Sequence, residues 1–266
     1  TAPAFEIPDR AALYAGDVLQ LAPQLPADAY DIAVVDPPYC SGGLHSTTRK
    51  ADPVIKYAHE GNACGRATFS GDNRDQRSFA YWATLWLADL YHAAKPSAYL
   101  FCFTDWRQLP VTTDAVQAAG WTWRGVIAWD KGRGSRAPHK GFARHQCEYI
   151  VWGTKGPVPK LTHFGPLDGA IAAEPEPSTI VRHKVRRSDK HHLTGKPTAL
   201  LREIVQVCPP GGIVCDAFAG SSTTGAAALL EGRRFVGFEL SQDYIDVSAA
   251  RLEAAARGEQ LPAMPP

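Results

Sequence analysis

The chain has no apolar run approaching the length of a membrane span, and its start, Thr1-Ala2-Pro3-Ala4, lacks the basic region and apolar core of a secretory leader. A cytoplasmic protein is expected. Six cysteines, Cys40, Cys64, Cys102, Cys147, Cys208 and Cys215, are scattered without a Cys-x-x-Cys pair. That pattern speaks against a zinc site and for buried free thiols in a reducing compartment, so no metal is expected. Charge of one sign is also lacking, since 28 Lys and Arg face 27 Asp and Glu. A P-loop is excluded because no Gly-Lys-Ser/Thr follows a glycine-rich turn, and no dinucleotide fingerprint is matched.

What is present is an ordinary globular composition, 45% hydrophobic and 21% charged, over 266 residues. That length supports one substantial core with a modest insertion. The near-zero net charge hides an asymmetry. Residues 131–196 carry thirteen Lys and Arg against five Asp and Glu, and the remainder fifteen against twenty-two. A basic segment inside a neutral protein is a footprint suited to a nucleic-acid backbone, with a solvated loop as the other reading.

Strand and helix patterns alternate along the chain. Ala11 to Ala15 is an apolar run ending at Gly16-Asp17, followed by a short helix from Val18 before Pro26. Ser78 to Ala94 carries Phe79, Trp82, Leu85, Trp86, Leu90 and Tyr91 at helical spacing, with Pro96 as its stop. A buried strand over Ala98 to Phe103 follows, then a helix over Leu109 to Ala119. The runs Trp121 to Trp129 and Cys147 to Trp152 complete the sheet, with antiparallel members late in the order. Two stretches lack periodicity. Residues 40–78 form a glycine-punctuated polar loop containing Arg49 and Lys50, expected to close over a substrate strand. Residues 153–190 are Pro-rich and end in the basic Arg182-His183-Lys184-Val185-Arg186-Arg187, the candidate for a small target-recognition insertion. A compact insertion reads little target, which favours a homodimer or a short target sequence. Between the two late strands, Lys131-Gly132-Arg133-Gly134-Ser135-Arg136 is a glycine-spaced basic loop suited to contact with a nucleic-acid backbone.

Two stretches carry the chemistry. Asp31-Ile32-Ala33-Val34-Val35 reads as a strand covered on both faces, cut short by Asp36-Pro37-Pro38-Tyr39. The two prolines remove backbone donors and hold the preceding residues extended, leaving a stiff tip with one carboxylate, free carbonyls and one ring. Such a tip can grip a flat group bearing an exocyclic amine. The second is Gly212 to Gly225, a strand ending at Asp216 and a turn of small and hydroxyl residues, Phe218, Ala219, Gly220, Ser221, Ser222, Thr223 and Thr224, opening an alanine-rich helix through Leu230. Small residues let a ligand approach the backbone, and the helix N-terminus offers free N–H groups to a carboxylate. Arg234 to Glu239 is another strand ending in an acid, at the offset where doubly wound folds bind ribose hydroxyls, and a helix from Gln242 to Ala256 follows.

Asp36-Pro37-Pro38-Tyr39 resembles the D/N/S-P-P-Y/F/W tetrad of the S-adenosylmethionine-dependent amino-methyltransferases that act on nucleobases. His192 to Pro197 is similar to their His-x-x-x-Lys-Pro motif, through His192, Thr194, Lys196 and Pro197, and Asp216 to Gly225 to their Asp-Pro-Phe-x-Gly-Ser-Gly-Thr-Thr cofactor motif. With the tetrad ahead of the cofactor turn, the order is that of the circularly permuted β group, and it extends from Gly16 to about Arg251. Ala217 replaces the usual Pro, a change of little consequence, and Ser222 replaces the second glycine, which puts cofactor affinity in doubt.

The resemblance implies one α/β domain over 1–266, a circularly permuted Rossmann-like methyltransferase fold with a mostly parallel sheet and helices on both faces. It implies S-adenosylmethionine as cofactor, with Asp17 near its adenine and Glu239 at its ribose, and double-stranded DNA as partner. The implied reaction is methylation of the exocyclic N6 of a flipped adenine, which stacks on Tyr39 while Asp36 and the Pro37 carbonyl hold its amine. An acid in the first tetrad position resembles the N6-adenine enzymes. N4-cytosine methylation, and a non-catalytic DNA-binding module retaining the fold, stay open as alternatives.

Overall fold

The computed structural model describes residues 1–39, 74–131, 141, 143, 145–172 and 196–262. In chain order the elements are β1 (Phe5–Ile7), β2 (Ala11–Ala15), α1 (Val18–Leu21), β3 (Tyr30–Val35), α2 (Gln76–Ala93), β4 (Ala94–Thr104), α3 (Leu109–Ala118) and β5 (Thr122–Asp130). They continue as β6 (Cys147–Thr154), β7 (Ala170–Ala172), α4 (Thr198–Val205), β8 (Ile213–Asp216), α5 (Thr223–Leu230), β9 (Arg234–Glu239) and α6 (Gln242–Arg257). The strands form one sheet in the order β1-β2-β9-β8-β3-β4-β6-β5-β7. Strands β2, β9, β8, β3 and β4 run parallel, β6 is antiparallel to both neighbours, and β1 is antiparallel to β2.

The unbroken apolar run of β3 suits its central place: Ile32, Ala33, Val34 and Val35 are all buried, which requires cover on both faces. The crossover β3–α2–β4 advances the sheet one way and β8–α5–β9 the other. Because such crossovers are right-handed, the reversal puts α2 and α5 on opposite faces and opens a crevice where β3 and β8 adjoin. Asp31 ties this junction, accepting from Lys95 Nζ of β4 and from the Ile213 backbone N–H of β8, both at 2.8 Å.

Pro96 is a correction. It does not stop the preceding helix, which ends at Ala93; it lies within β4. The β3–β4 register jumps from Tyr30↔Ala94 to Ile32↔Tyr99, so Pro96 sits in a bulge with Ser97 at φ 66°, where its missing N–H breaks no ladder bond. The segment beyond residue 153 also differs from a free insertion. Gly153 and Thr154 finish β6, Leu161, Phe164 and Leu167 pack on the core, and β7 adds to β5. The rest of the expected target-recognition insertion, residues 173–190, lies outside the described residues. So does most of the 40–78 loop. Among the described residues no helix is long and apolar enough to cross a membrane, and no metal-holding cluster occurs.

Candidate active site

The two stretches singled out in the sequence meet. In the β3–β8 register Ala33 lies opposite Cys215, which sets Val34 beside Asp216 and carries Asp36 to the edge where the Phe218 turn begins. The Asp36 and Asp216 carboxyls are close enough to feel one another electrostatically. Phe218 closes the crevice from the helix side, edge-on to Trp82 and Trp86 of α2 with ring centroids 5.5 and 5.0 Å away. Those two tryptophans, which the helical spacing marks only as core, are the floor of the site.

Lys196 is the pivot of the β3 tip. Its ammonium, 4% exposed, donates to Asp36 Oδ2 at 2.6 Å and to the Tyr39 hydroxyl at 3.4 Å, and lies over the rings of Phe103 and Tyr39 at 5.1 and 5.6 Å. A second carboxylate, Glu148 of β6, stands on its other side. Glu148 Oε2 lies 3.3 Å from the Lys196 ammonium, an ion pair without the direction of a hydrogen bond, while Oε1 accepts from Lys131 Nζ at 2.7 Å. Asp36 Oδ1 is buried with no partner among the described residues. It is an acceptor waiting for a donor, because an unpaired buried oxygen carries a desolvation cost that a ligand N–H relieves.

The electrostatics follow from this packing. Burial raises the Asp36 carboxyl, the Lys196 ammonium works against it, and Glu148 adds to the rise. Burial also pulls on Lys196, but its two carboxylate neighbours outweigh that and raise it, so it stays charged. For Glu148, burial is overcome by Lys196 and Lys131, and the carboxyl is lowered to about 2. Asp36 is thus a reluctant anion held by a permanent cation, and Glu148 a committed one.

The β8 tip is built differently. Asp216 accepts from the Phe218 N–H at 3.0 Å and, being buried, is pushed up to about 7, with the Thr224 hydroxyl and the Phe218 N–H opposing the rise and Asp36 and Glu239 adding to it. Glu239, at the end of β9, accepts from the Gly220 N–H at 2.7 Å and the Ser241 N–H at 2.8 Å. Burial raises its carboxyl against those bonds. Asp17, at the end of β2, caps α1 by accepting from the Leu19 N–H at 2.8 Å. Ser222, where the resembled motif has glycine, adopts the left-handed conformation with φ 53° and ψ 43°, and its buried hydroxyl has no partner among the described residues. Gly225 serves packing: a Cβ there would lie 2.7 Å from Leu252 and from Phe235.

Two buried side chains of α6 brace the turn. Ser248 Oγ donates to the Gly220 carbonyl at 2.8 Å, and Arg251, fully buried, donates through Nη1 to the Ser221 carbonyl, to Ser221 Oγ and to Thr223 Oγ1.

The structure thus brings together Asp36, Pro37, Pro38, Tyr39, Lys196, Pro197 and the turn Asp216 to Thr224, with Glu239 and Asp17 at the ends of the next two strands along the same edge. His192, Thr194, Arg49, Lys50, Arg133, Arg136, Lys184, Arg186 and Arg187 lie outside the described residues. Lys131, taken from the sequence as a backbone contact, points its ammonium inward to Glu148. Glu148 and Arg251 escaped the sequence reading, although each carries a signal. Glu148 is an acid at the head of the apolar run Tyr149-Ile150-Val151-Trp152, and Arg251 falls on the same helical stripe as Tyr244, Ile245, Ser248 and Leu252.

Against known proteins, a DNA methylase family model (N6_N4_Mtase) matches residues 30–250. YubD of Escherichia coli (strain K12) is 28% identical over 246 residues, 92% of this chain and 91% of that protein. The DNA adenine methyltransferase YhdJ of the same organism is 47% identical over a shorter stretch of 68 residues, 25% of this chain and 23% of that protein. Among solved structures, the cytosine-N4-specific PvuII DNA methyltransferase superposes with a TM-score of 0.66 at 17% identity, covering 94% of this chain and 88% of that one.

Proposed function

The chain belongs to the N6 and N4 DNA methylase family, S-adenosylmethionine-dependent methyltransferases, and on that premise we propose that it methylates the exocyclic N6 of a flipped adenine in duplex DNA. The observation that carries this is the unpartnered Asp36 Oδ1 at the sheet edge where the small-residue turn after β8 begins. The fit of the cofactor rests on that turn, whose short side chains leave its backbone approachable, and on the carboxylates of Glu239 and Asp17 at the neighbouring strand ends. A carboxylate accepts more than the one N–H that each Glu239 oxygen now takes, so ribose hydroxyls can join.

When bound, the cofactor supplies an electrophilic methyl group on a sulfonium. The residues do the remainder. The target amine is a poor nucleophile because its lone pair is delocalised into the ring. Asp36 Oδ1 and the Pro37 carbonyl accept its two protons, which favours a pyramidal nitrogen and stabilises the positive charge that develops as the N–C bond forms and the C–S bond breaks. The methylated nitrogen, now cationic, passes one proton to solvent water and becomes neutral. Tyr39 offers a face to the flipped base. Adenine is favoured by the acid in the first tetrad position and by the similarity to an adenine methyltransferase over part of the chain. Trp106 is 46% exposed just past β4, stacked on His145 with ring centroids 4.7 Å apart and flanked by Arg107, and suits contact with DNA.

The test is transfer from labelled S-adenosylmethionine to mixed-sequence duplex DNA, followed by digestion to nucleosides. Labelled 6-methyladenine is expected. Labelled 4-methylcytosine alone overturns the choice of base, and DNA binding without incorporation overturns the enzyme.

A further inference from the structure

Four charges stand in a row at the β3 tip: Asp36, Lys196, Glu148 and Lys131, alternating in sign and contributed by four separate parts of the chain. The outer pair is part exposed, with 29% of the Asp36 side chain and 30% of the Lys131 side chain accessible, while Lys196 is buried between them. If Asp36 were the sole counter-ion of Lys196, the pair would present a neutral dipole to the amine, and the ammonium would be drawn fully onto the carboxylate that must accept the amine protons. Glu148 gives the ammonium a second counter-ion at 3.3 Å, so Asp36, at 2.6 Å, is its nearer partner but not its sole one. Asp36, Lys196 and Glu148 together carry one net negative charge beside the place where the amine becomes positive, and Lys131 at the far end of the row brings the four to neutrality.

We propose that Glu148 is a positioning residue for methyl transfer: it shares Lys196 with Asp36, so that the ammonium orients the Asp36 carboxylate through Oδ2 and leaves Oδ1 to the target amine, and it is itself held by Lys131. The proposal rests on the methyl-transfer reading above. Lys131 accordingly serves the site from within and not the DNA backbone. In this arrangement Lys196 and Glu148 act through Asp36, and neither needs to touch the substrate.

Among the described residues, the groups that face Asp36 are Lys196, Glu148 of β6, Lys131 after β5, Cys102 of β4 and Asp216 of β8, with Tyr39 on the far side of the Lys196 ammonium. Glu148 holds the Asp36 carboxyl up and Lys131 holds it down. The two variants therefore move it in opposite directions, which general loss of packing does not do. Glu148→Gln keeps the volume and removes the charge. It is expected to lower kcat by about tenfold to 100-fold, as loss of alignment at a reacting group does, with the Kd for cofactor within about twofold. The acid limb of the kcat–pH profile shifts to lower pH. Lys131→Met shifts that limb to higher pH, with a smaller loss of kcat. Glu148→Asp, which retains the charge on a shorter stem, recovers part of the lost turnover.

The same shifts are read without turnover by 13C NMR titration of the Asp36 carboxyl in the free protein. Near-normal kcat in Glu148→Gln, or loss of kcat with both the acid limb and the Asp36 titration unmoved, overturns the role of Glu148. A wild-type protein that transfers no methyl group yet shows both titration shifts overturns the methyl-transfer reading and leaves the charge row standing.

Discussion

At the end of β3 the chain holds its carboxylate with side chains from other elements, Lys196 at 2.6 Å and, behind it, Glu148 and Lys131. At the end of β8 it holds a turn largely with backbone groups: the Phe218 N–H on Asp216, the Gly220 N–H on Glu239 and the Gly220 and Ser221 carbonyls on α6. The difference suits two tasks. A tip that handles a changing charge needs neighbours whose own charge can be shared. A tip that cradles a ligand needs a backbone that keeps its shape, and hydrogen bonds to the main chain provide that.

Removing Asp36 tests the comparison most severely. Asp36→Ala is expected to cut the single-turnover rate by about 10³-fold, in line with loss of a preorganised electrostatic partner, while calorimetry finds cofactor affinity unchanged. If cofactor binding falls with it, the two tips are not separable in function. Next in size is Arg251→Met, which removes the buried donor on Ser221 and Thr223. It is expected to cost about 3 kcal/mol in urea unfolding and to weaken cofactor binding, since the turn loses its brace. Unchanged cofactor affinity would limit Arg251 to the fold.

The third prediction uses pH. An acid whose folded pKa is raised stabilises the fold below its unfolded pKa, near 4, and that contribution is lost as pH rises through the folded value, for Asp216 about 7. Asp216→Asn, whose Oδ1 can still accept the Phe218 N–H, is expected to flatten the stability profile between those limits and to gain about 2 kcal/mol at pH 8. A profile as steep as the wild type would place the titration elsewhere. The smallest effect is expected from Ser222→Gly, which relieves left-handed backbone at a non-glycine residue and an unpaired buried hydroxyl. A gain of about 1 kcal/mol is expected after the entropy cost of glycine is subtracted. A loss of stability would mean that the hydroxyl has a partner in solution.

Much of this molecule is local in origin and therefore readable from the chain. The β3 run stops at Asp36 because two prolines cannot continue a ladder, and the β8 run stops at a turn of small residues that opens α5. Pro96 was misleading for a physical reason. Its effect depends on whether its nitrogen faces a partner, and the bulge between Tyr30 and Tyr99 decides that. The sign of Lys131 was legible and its direction was not, because an ammonium beside the basic residues Arg133 and Arg136 gives no local hint of Glu148, seventeen positions on.

By itself the sequence determined the alternation of strands and helices, the chemistry at each strand end and the order of the motifs, since each rests on dihedral limits and side-chain periodicity within a few residues. Only the tertiary structure decided that Asp36 and the Phe218 turn share one edge, that Lys196 stands between two carboxylates and that Arg251 supports the turn. Those facts depend on which strands lie side by side and on how far burial strengthens a charge, and neither is a property of any short stretch of chain.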